Sequence, residues 1–128
     1  ARVFHHTAPV ANIYGFREAL RVVHAEGMDE RFVRHKGAHD LFAAGLARLG
    51  LSFFTPEQHR LPMLNVVNIP DGVDDAKVRA AMHEKGIEIS SAFGPLAGKA
   101  WRIGLMGTNA TAPVVNRLLA GLGDVLGR

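Results

Sequence analysis

The sequence contains no cysteine. That excludes a disulfide framework, a thiolate zinc site and a cysteine nucleophile within these residues, and it fits a reducing compartment, so the expected location is cytoplasmic. No apolar run reaches the roughly 18 residues that a membrane span requires. No basic stretch followed by an apolar core and a cleavage site stands at the front, so a soluble chain with no membrane partner is expected. A block of one charge sign is missing too. The 15 Lys and Arg against 12 Asp and Glu leave a net charge of +3. They are spread along every predicted helix and mixed, which is the pattern of a solvated surface. Nucleic acid is therefore not an expected partner, although the isoelectric point of about 9.8 points that way at first sight. An initiator methionine is also lacking: Ala1 runs at once into ARVFHHTAPV, so a fragment or processed piece of something longer is expected.

What is present suits one domain with a real core. The chain has 128 residues, of which 48% are hydrophobic and 21% charged. After a short extended lead-in over residues 2 to 6, Thr7-Ala8-Pro9 has the chemistry of a helix start, a threonine cap with proline in the first turn. That helix should run to Glu26 and stop at Gly27. Its apolar positions Val10, Ile13, Tyr14, Phe16, Leu20 and Val23 cover more than one face, which implies burial between two layers and something outside the chain packing on it. A second helix is expected from about Asp29 to Leu49, with Met28, Phe32, His35, His39, Phe42, Leu46 and Leu49 recurring as one stripe.

Then the period becomes extended. Strands are expected over Leu51 to Thr55 and Met63 to Ile69, then a helix capped by Asp74 with Val78, Ala81 and Met82 inward. A short strand Ile87 to Ile89, a small-residue loop SSAFGPLAG, a strand within KAWRIGLMG and a last helix capped within Thr108 to Thr111 complete the chain. The last helix should turn Val114, Val115, Leu118, Leu119, Leu122 and Leu126 inward. The expected fold class is an α/β (α+β) sandwich: a small, mostly antiparallel sheet with helices mainly on one face. The expected division is residues 1–27, the lead-in and first helix, and residues 28–128, the remainder of the chain.

Three places could carry chemistry. In KAWRIGLMG, strand alternation puts Trp101, Ile103 and Leu105 on one face and Arg102, Gly104 and Met106 on the other. Arg102 thus sits beside a gap, and its planar five-donor fork matches the two oxygens of a carboxylate or phosphate. From the strand alone the favoured reading is the plainer one, an edge-strand arginine reaching water or pairing with a nearby acid. His5, His6 and Thr7 precede a helix whose first N–H groups and dipole favour an anion, against the plainer alternative of a cap flanked by solvated histidines. His35 and His39 stand four apart on a helix, a metal-ligand spacing, but no adjacent glutamate or third ligand accompanies them, so partly buried structural histidines are expected and no metal is assigned.

Taken together, FHHTAPV, NIYGFREAL, LPMLNVVNIPDGVD and GIEISSAFGPLAGKAWRIGLMG resemble the C-terminal part of class V pyridoxal-phosphate aminotransferases, most closely the alanine/serine-glyoxylate (serine-pyruvate) group. The resemblance covers essentially the whole chain. It implies the C-terminal small domain of a fold-type I enzyme, an expected homodimer, with the N-terminal large domain missing. It further implies transfer of an amino group between a small amino acid, alanine or serine, and a 2-oxo acid, glyoxylate or pyruvate, with pyridoxal 5'-phosphate as cofactor. By the same resemblance Arg102 clamps the substrate carboxylate. The His5-His6-Thr7 stretch belongs to the cofactor site, Thr7 contacting the phosphate across the dimer interface.

Relatives often carry tyrosine where this chain has Phe4, which removes one hydroxyl. The Schiff-base lysine, the aspartate on the pyridine nitrogen and the stacking aromatic fall upstream. No catalytic residue is assigned here, and none of Lys36, Lys77, Lys85 or Lys99 stands in a matching context. The chain alone is therefore expected to be inactive. Rival readings are a desulfurase-like lyase, which needs a loop cysteine, a phosphonate or phosphoserine aminotransferase, which needs a further phosphate receiver, and a free-standing regulatory module that binds an amino acid through Arg102.

Overall fold

The first two helices meet at Gly27, whose φ of 88° is open to glycine and strained for other residues. A computed structural model describes residues 5–128. Phe4, and with it the start of the extended lead-in, lies outside the described residues. Two compact units divide the chain, one ending at Val33 and the other comprising Arg34–Arg128.

In the first unit, α1 spans Val10–Glu26. Its N-cap is Pro9, not Thr7, and no side chain caps it. The helix starts two residues later than a Thr7 cap requires because the Pro9 carbonyl takes the first helical bond, from the Ile13 N–H at 3.1 Å. No residue of α1 is buried; Ile13, Tyr14 and Phe16 are all more than half exposed. The two layers expected to cover this helix are therefore not supplied among the described residues. An Arg21–Glu18 pair and an Arg31–Glu26 pair, both at 2.7 Å, dress its polar positions.

The helix α2, Met28–Arg48, runs from the first unit into the second. The expected stripe holds only from His35 onward: His35, Ala38, Phe42, Gly45 and Leu46 are buried, whereas Met28 and Phe32, on the first-unit side, are 51% and 62% exposed. The second unit then adds β1 (Leu64–Asn68), α3 (Asp75–Glu84), β2 (Ser90–Ser91), β3 (Ala100–Gly104) and α4 (Ala112–Leu126). The sheet has three strands in the order β1-β3-β2, antiparallel throughout. Asn65, Val67, Trp101 and Ile103 turn to the buried face and join Phe42 and Leu46 of α2, Val78 and Met82 of α3, and Val115, Leu118 and Leu122 of α4. Burial of each of the large apolar side chains among these contributes roughly 1.5–3 kcal/mol, and this face is what fixes the register.

Two expected strands are not strands. Phe53 makes only an isolated bridge to Val67, flanked by bonds from Phe54 N–H to the Val66 carbonyl and from Asn68 N–H to the Ser52 carbonyl, both at 2.9 Å. The segment turns away after that because the Arg60 Nε takes the Thr55 carbonyl at 3.0 Å and Pro56 opens a 3-10 turn. Ile87 to Ile89 pairs with nothing. The Ile87 N–H closes the end of α3 on the Met82 carbonyl at 3.0 Å, and the pairing falls one step later, on Ser90 and Ser91.

Asp74 caps α3 as expected, accepting from the Lys77 N–H at 3.1 Å. Thr111 occupies the N-cap of α4 without a side-chain bond, and Val114 is partly exposed. Among the described residues no helix is long and apolar enough to cross a membrane.

Candidate functional site

Arg102 lies in β3, the central strand, opposite Val66 of β1 and Ser90 of β2, so it is not an edge arginine. The expected alternation holds. Trp101, Ile103 and Leu105 are at most 2% exposed, while Gly104 and Met106 are exposed on Arg102's own face. The strand ladder continues past both ends of β3, through the Ile69 N–H on the Lys99 carbonyl at 3.0 Å and the Leu105 N–H on the Met63 carbonyl at 2.9 Å. The Cα of Arg102 is accordingly held from both sides.

Its side chain is held as well. Nε donates to the Ser91 carbonyl at 3.0 Å, and the guanidinium carbon sits 3.8 Å above the centre of the Phe93 ring. The two terminal nitrogens make no hydrogen bond among the described residues. A guanidinium fixed at Nε and on one face, with both terminal nitrogens unpaired, is a prepared fork for a carboxylate.

Behind it stands a network that sequence reasoning missed. The Asp75 carboxylate, in the first turn of α3, accepts from the Trp101 indole at 3.0 Å, from Arg79 at 3.0 Å and from the Ser91 hydroxyl. Burial pushes this carboxyl up, but the bonds from Arg79 and Ser91, the Arg79 charge and the Trp101 indole outweigh it and hold the pKa below the usual value. Ser91 is thereby shared: its hydroxyl serves Asp75 and also accepts the Gly98 N–H at 3.2 Å, while its carbonyl serves Arg102. Gly98, at φ 71°, lets the small-residue loop turn back into β3. The alternation of small and apolar residues in SSAFGPLAG marks a tight loop but says nothing of which carbonyl it offers.

A depressed carboxyl stabilises the fold above its unfolded pKa of about 4 and loses that contribution as pH falls through the folded value. Asp75→Asn is therefore expected to lower the thermal midpoint at neutral pH, with the gap to wild type closing between about pH 5 and pH 3. A melting series over that range checks it; a gap that stays constant would mean the Asp75 charge contributes nothing.

The other anion candidate belongs to the first unit. His5 and His6 face each other, with their Nδ1 atoms 2.8 Å apart and ring centres 4.3 Å apart. Thr7 is exposed, and its hydroxyl has no partner among the described residues. With Pro9 as N-cap, the N–H groups of Ala11 and Asn12 have no helical acceptor, so this end of α1 can receive an anion.

On α2, the Nδ1 of His39 lies 2.8 Å from Oδ1 of the buried Asn65, and His35 is itself buried. Both are structural, and among the described residues no group of three His, Asp or Glu is placed to hold a metal ion. Lys36, Lys77 and Lys85 are exposed and paired with Asp40, Asp74 and Asp124; Lys99 is exposed at the start of β3. A cleft of about 210 Å³ at the Gly104 end of β3, bordered by Glu88, Arg117 and Leu118, does not include Arg102.

No protein-family model matches the chain. Over 126 residues it is 43% identical to the (S)-ureidoglycine–glyoxylate transaminase of Bacillus subtilis, covering 98% of this chain and 30% of that protein. Over 127 residues it is 39% identical to the alanine–glyoxylate aminotransferase of Drosophila melanogaster, covering 98% of this chain and 32% of that protein. The crystal structure of alanine–glyoxylate aminotransferase from Nostoc sp. superposes with a TM-score of 0.91 at 42% identity, over 98% of this chain and 33% of that one. Over almost its whole length the chain is thus similar to part of the class V aminotransferases of the alanine–glyoxylate group. It spans about a third of the length of the aminotransferases it matches.

Proposed function

We propose that the chain is the C-terminal part of an aminotransferase that moves an amino group between alanine or serine and glyoxylate or pyruvate, with Arg102 receiving the substrate carboxylate. The observation that carries this is the Arg102 fork, anchored at Nε, stacked on Phe93 and unpaired at its two terminal nitrogens. Two different anions have to be received for such a reaction, a carboxylate and a phosphate. In this reading Arg102 takes the first, and the start of α1, with Thr7 and the neighbouring His5 and His6, takes the second.

When bound, pyridoxal phosphate supplies the electron sink for amino-group transfer, which no side chain of this chain provides. The chain's own part is binding and orientation. Arg102 fixes the carboxylate at two points, and the Thr7 hydroxyl together with the free N–H groups of α1 holds a phosphate. Orientation of this kind can lower a barrier by as much as roughly 7–11 kcal/mol.

The bare apolar surface of α1 supports a large domain and a second subunit lying against the lead-in helix, with a division at residues 27 and 28. The cysteine-free composition supports a cytoplasmic setting.

The complete protein is expected to transfer the amino group of alanine or serine to glyoxylate or pyruvate. The 128-residue chain with added pyridoxal phosphate is expected to give no transfer, because Lys36, Lys77 and Lys85 are surface ion-pair members and Lys99 is exposed at the start of β3. Borohydride treatment followed by mass spectrometry checks the second point. Cofactor fixed on any of its lysines, or a complete protein that transfers no amino group, would overturn the proposal.

A further inference from the structure

We propose that Phe93 is a positioning residue, setting the plane of the Arg102 guanidinium so that its two terminal nitrogens reach the substrate carboxylate as a pair. This rests on the reading of Arg102 as the carboxylate receiver. Phe93 is 74% exposed, so it is not there to fill the core. Large aromatic rings left this bare on a tight loop are either ligand surface or support for another group. Here the contact is explicit: the guanidinium carbon stands 3.8 Å from the ring centre, within the range of a cation–π stack.

The platform is rigid because its backbone is fixed on both sides. On one side the Ala92 N–H pairs with the Ala100 carbonyl at 2.9 Å and Ala92 is buried, which turns the next side chain outward. On the other, the Leu96 N–H closes on the Phe93 carbonyl at 3.2 Å, at the head of a 3-10 turn. The ring is thus aimed at Arg102 by main-chain geometry and needs no packing partner of its own.

Ser91 and Phe93 divide the task. The Ser91 carbonyl fixes Nε, which sets the direction of the fork but leaves rotation about the last torsions free. The Phe93 face removes that rotation and shields one side of the guanidinium from water. A carboxylate that binds before and during reaction is held equally in both states, so losing this alignment weakens binding more than turnover.

The test is a double-mutant cycle in the complete enzyme, with steady-state kinetics for alanine and for glyoxylate. Phe93→Leu, which keeps apolar bulk but loses the ring, is expected to raise both KM values roughly three- to tenfold with kcat within about twofold. Phe93→Tyr, which keeps the ring, is expected to restore wild-type KM, and neither variant should shift the melting temperature. In an Arg102→Lys background, Phe93→Leu is expected to add no further loss, because the planar group it aligns is gone.

If Arg102→Lys impairs the enzyme but Phe93→Leu leaves KM unchanged, the role of Phe93 falls while that of Arg102 stands. An equal Phe93→Leu penalty in both backgrounds also overturns it, since the ring then acts other than through Arg102. If Arg102→Lys itself changes nothing, the reading beneath the inference fails first.

Discussion

Replacing Arg102 by lysine in the complete enzyme is expected to raise KM for the amino acid and to lower kcat/KM at least about tenfold. The physical case lies in what lysine keeps and what it loses. Charge is kept, so long-range attraction for a carboxylate survives. The planar fork is lost, and with it three arrangements present in this structure: the Nε bond to the Ser91 carbonyl, the stack on Phe93 and the pair of free terminal nitrogens. A lysine ammonium is a rotating point donor that can satisfy Ser91 or the substrate but has no geometry for both.

Charge-assisted bidentate bonds are roughly twice as strong as neutral ones, and losing one arm costs about the 1.4 kcal/mol that a tenfold change represents. Arg102 is half-buried and its side chain is held by the Ser91 carbonyl and the exposed Phe93 ring, so the variant should fold as the wild type does, and melting temperature separates the two effects. Unchanged kinetics with an unchanged fold would remove Arg102 from the substrate site.

The alternation of apolar and polar residues in β3 is legible in the sequence because a two-residue period admits only two assignments, and the apolar set Trp101, Ile103 and Leu105 decides between them. The helices α1 to α4 are legible for the same kind of reason: long periodic stretches ended by Gly27, Gly50 and Gly86. What is not legible is set by partners distant in sequence. Nothing local distinguishes Ile87 to Ile89 from a strand, yet the register opposite Arg102 selects Ser90, which the composition marks only as a loop residue. Phe53 pairs with Val67 for a single bridge because Arg60 captures Thr55, a competition no periodicity encodes.

The same holds for the candidate site. Arg102 stands out as a lone cation in an apolar run, and the small-residue loop before it signals close backbone approach. The roles of Ser91, Phe93 and Asp75 depend on one loop and one helix start folding over β3, and a carbonyl donates no sequence signal at all. A helix-start motif at Thr7 is visible, but the position of its cap is not: threonine is the favoured cap and proline the favoured first-turn residue, yet the helix is capped at Pro9 with no side-chain bond.

Truncation of Trp101 to alanine is expected to cost about 3–5 kcal/mol of folding stability, the largest effect of any single side chain in this unit. The indole is fully buried in the core between the sheet and the helices, and it is the largest of the side chains with no exposed surface. Its loss leaves a cavity that the neighbours, themselves held by α3 and α4, can only partly collapse. It also removes one of the donors to Asp75, whose carboxylate then keeps Arg79 and Ser91 alone.

Comparison with Trp101→Phe separates the two contributions, because phenylalanine refills most of the volume and supplies no N–H; its cost should be well below that of alanine. The hydrogen bond alone is worth about 1.5–3 kcal/mol when the acceptor is charged. Chemical unfolding of the complete protein, followed by circular dichroism because both variants remove the single tryptophan of this chain, provides the measurement. A Trp101→Ala variant within about 1 kcal/mol of wild type would mean that the core relaxes around the gap. Since Trp101 pairs with Ser91 across β3 and β2, the alanine variant should also loosen the carbonyl that holds Arg102. Its remaining activity should therefore show a raised KM for the amino acid even where enough folded enzyme is present to assay, linking the stability of the core to the aim of the fork.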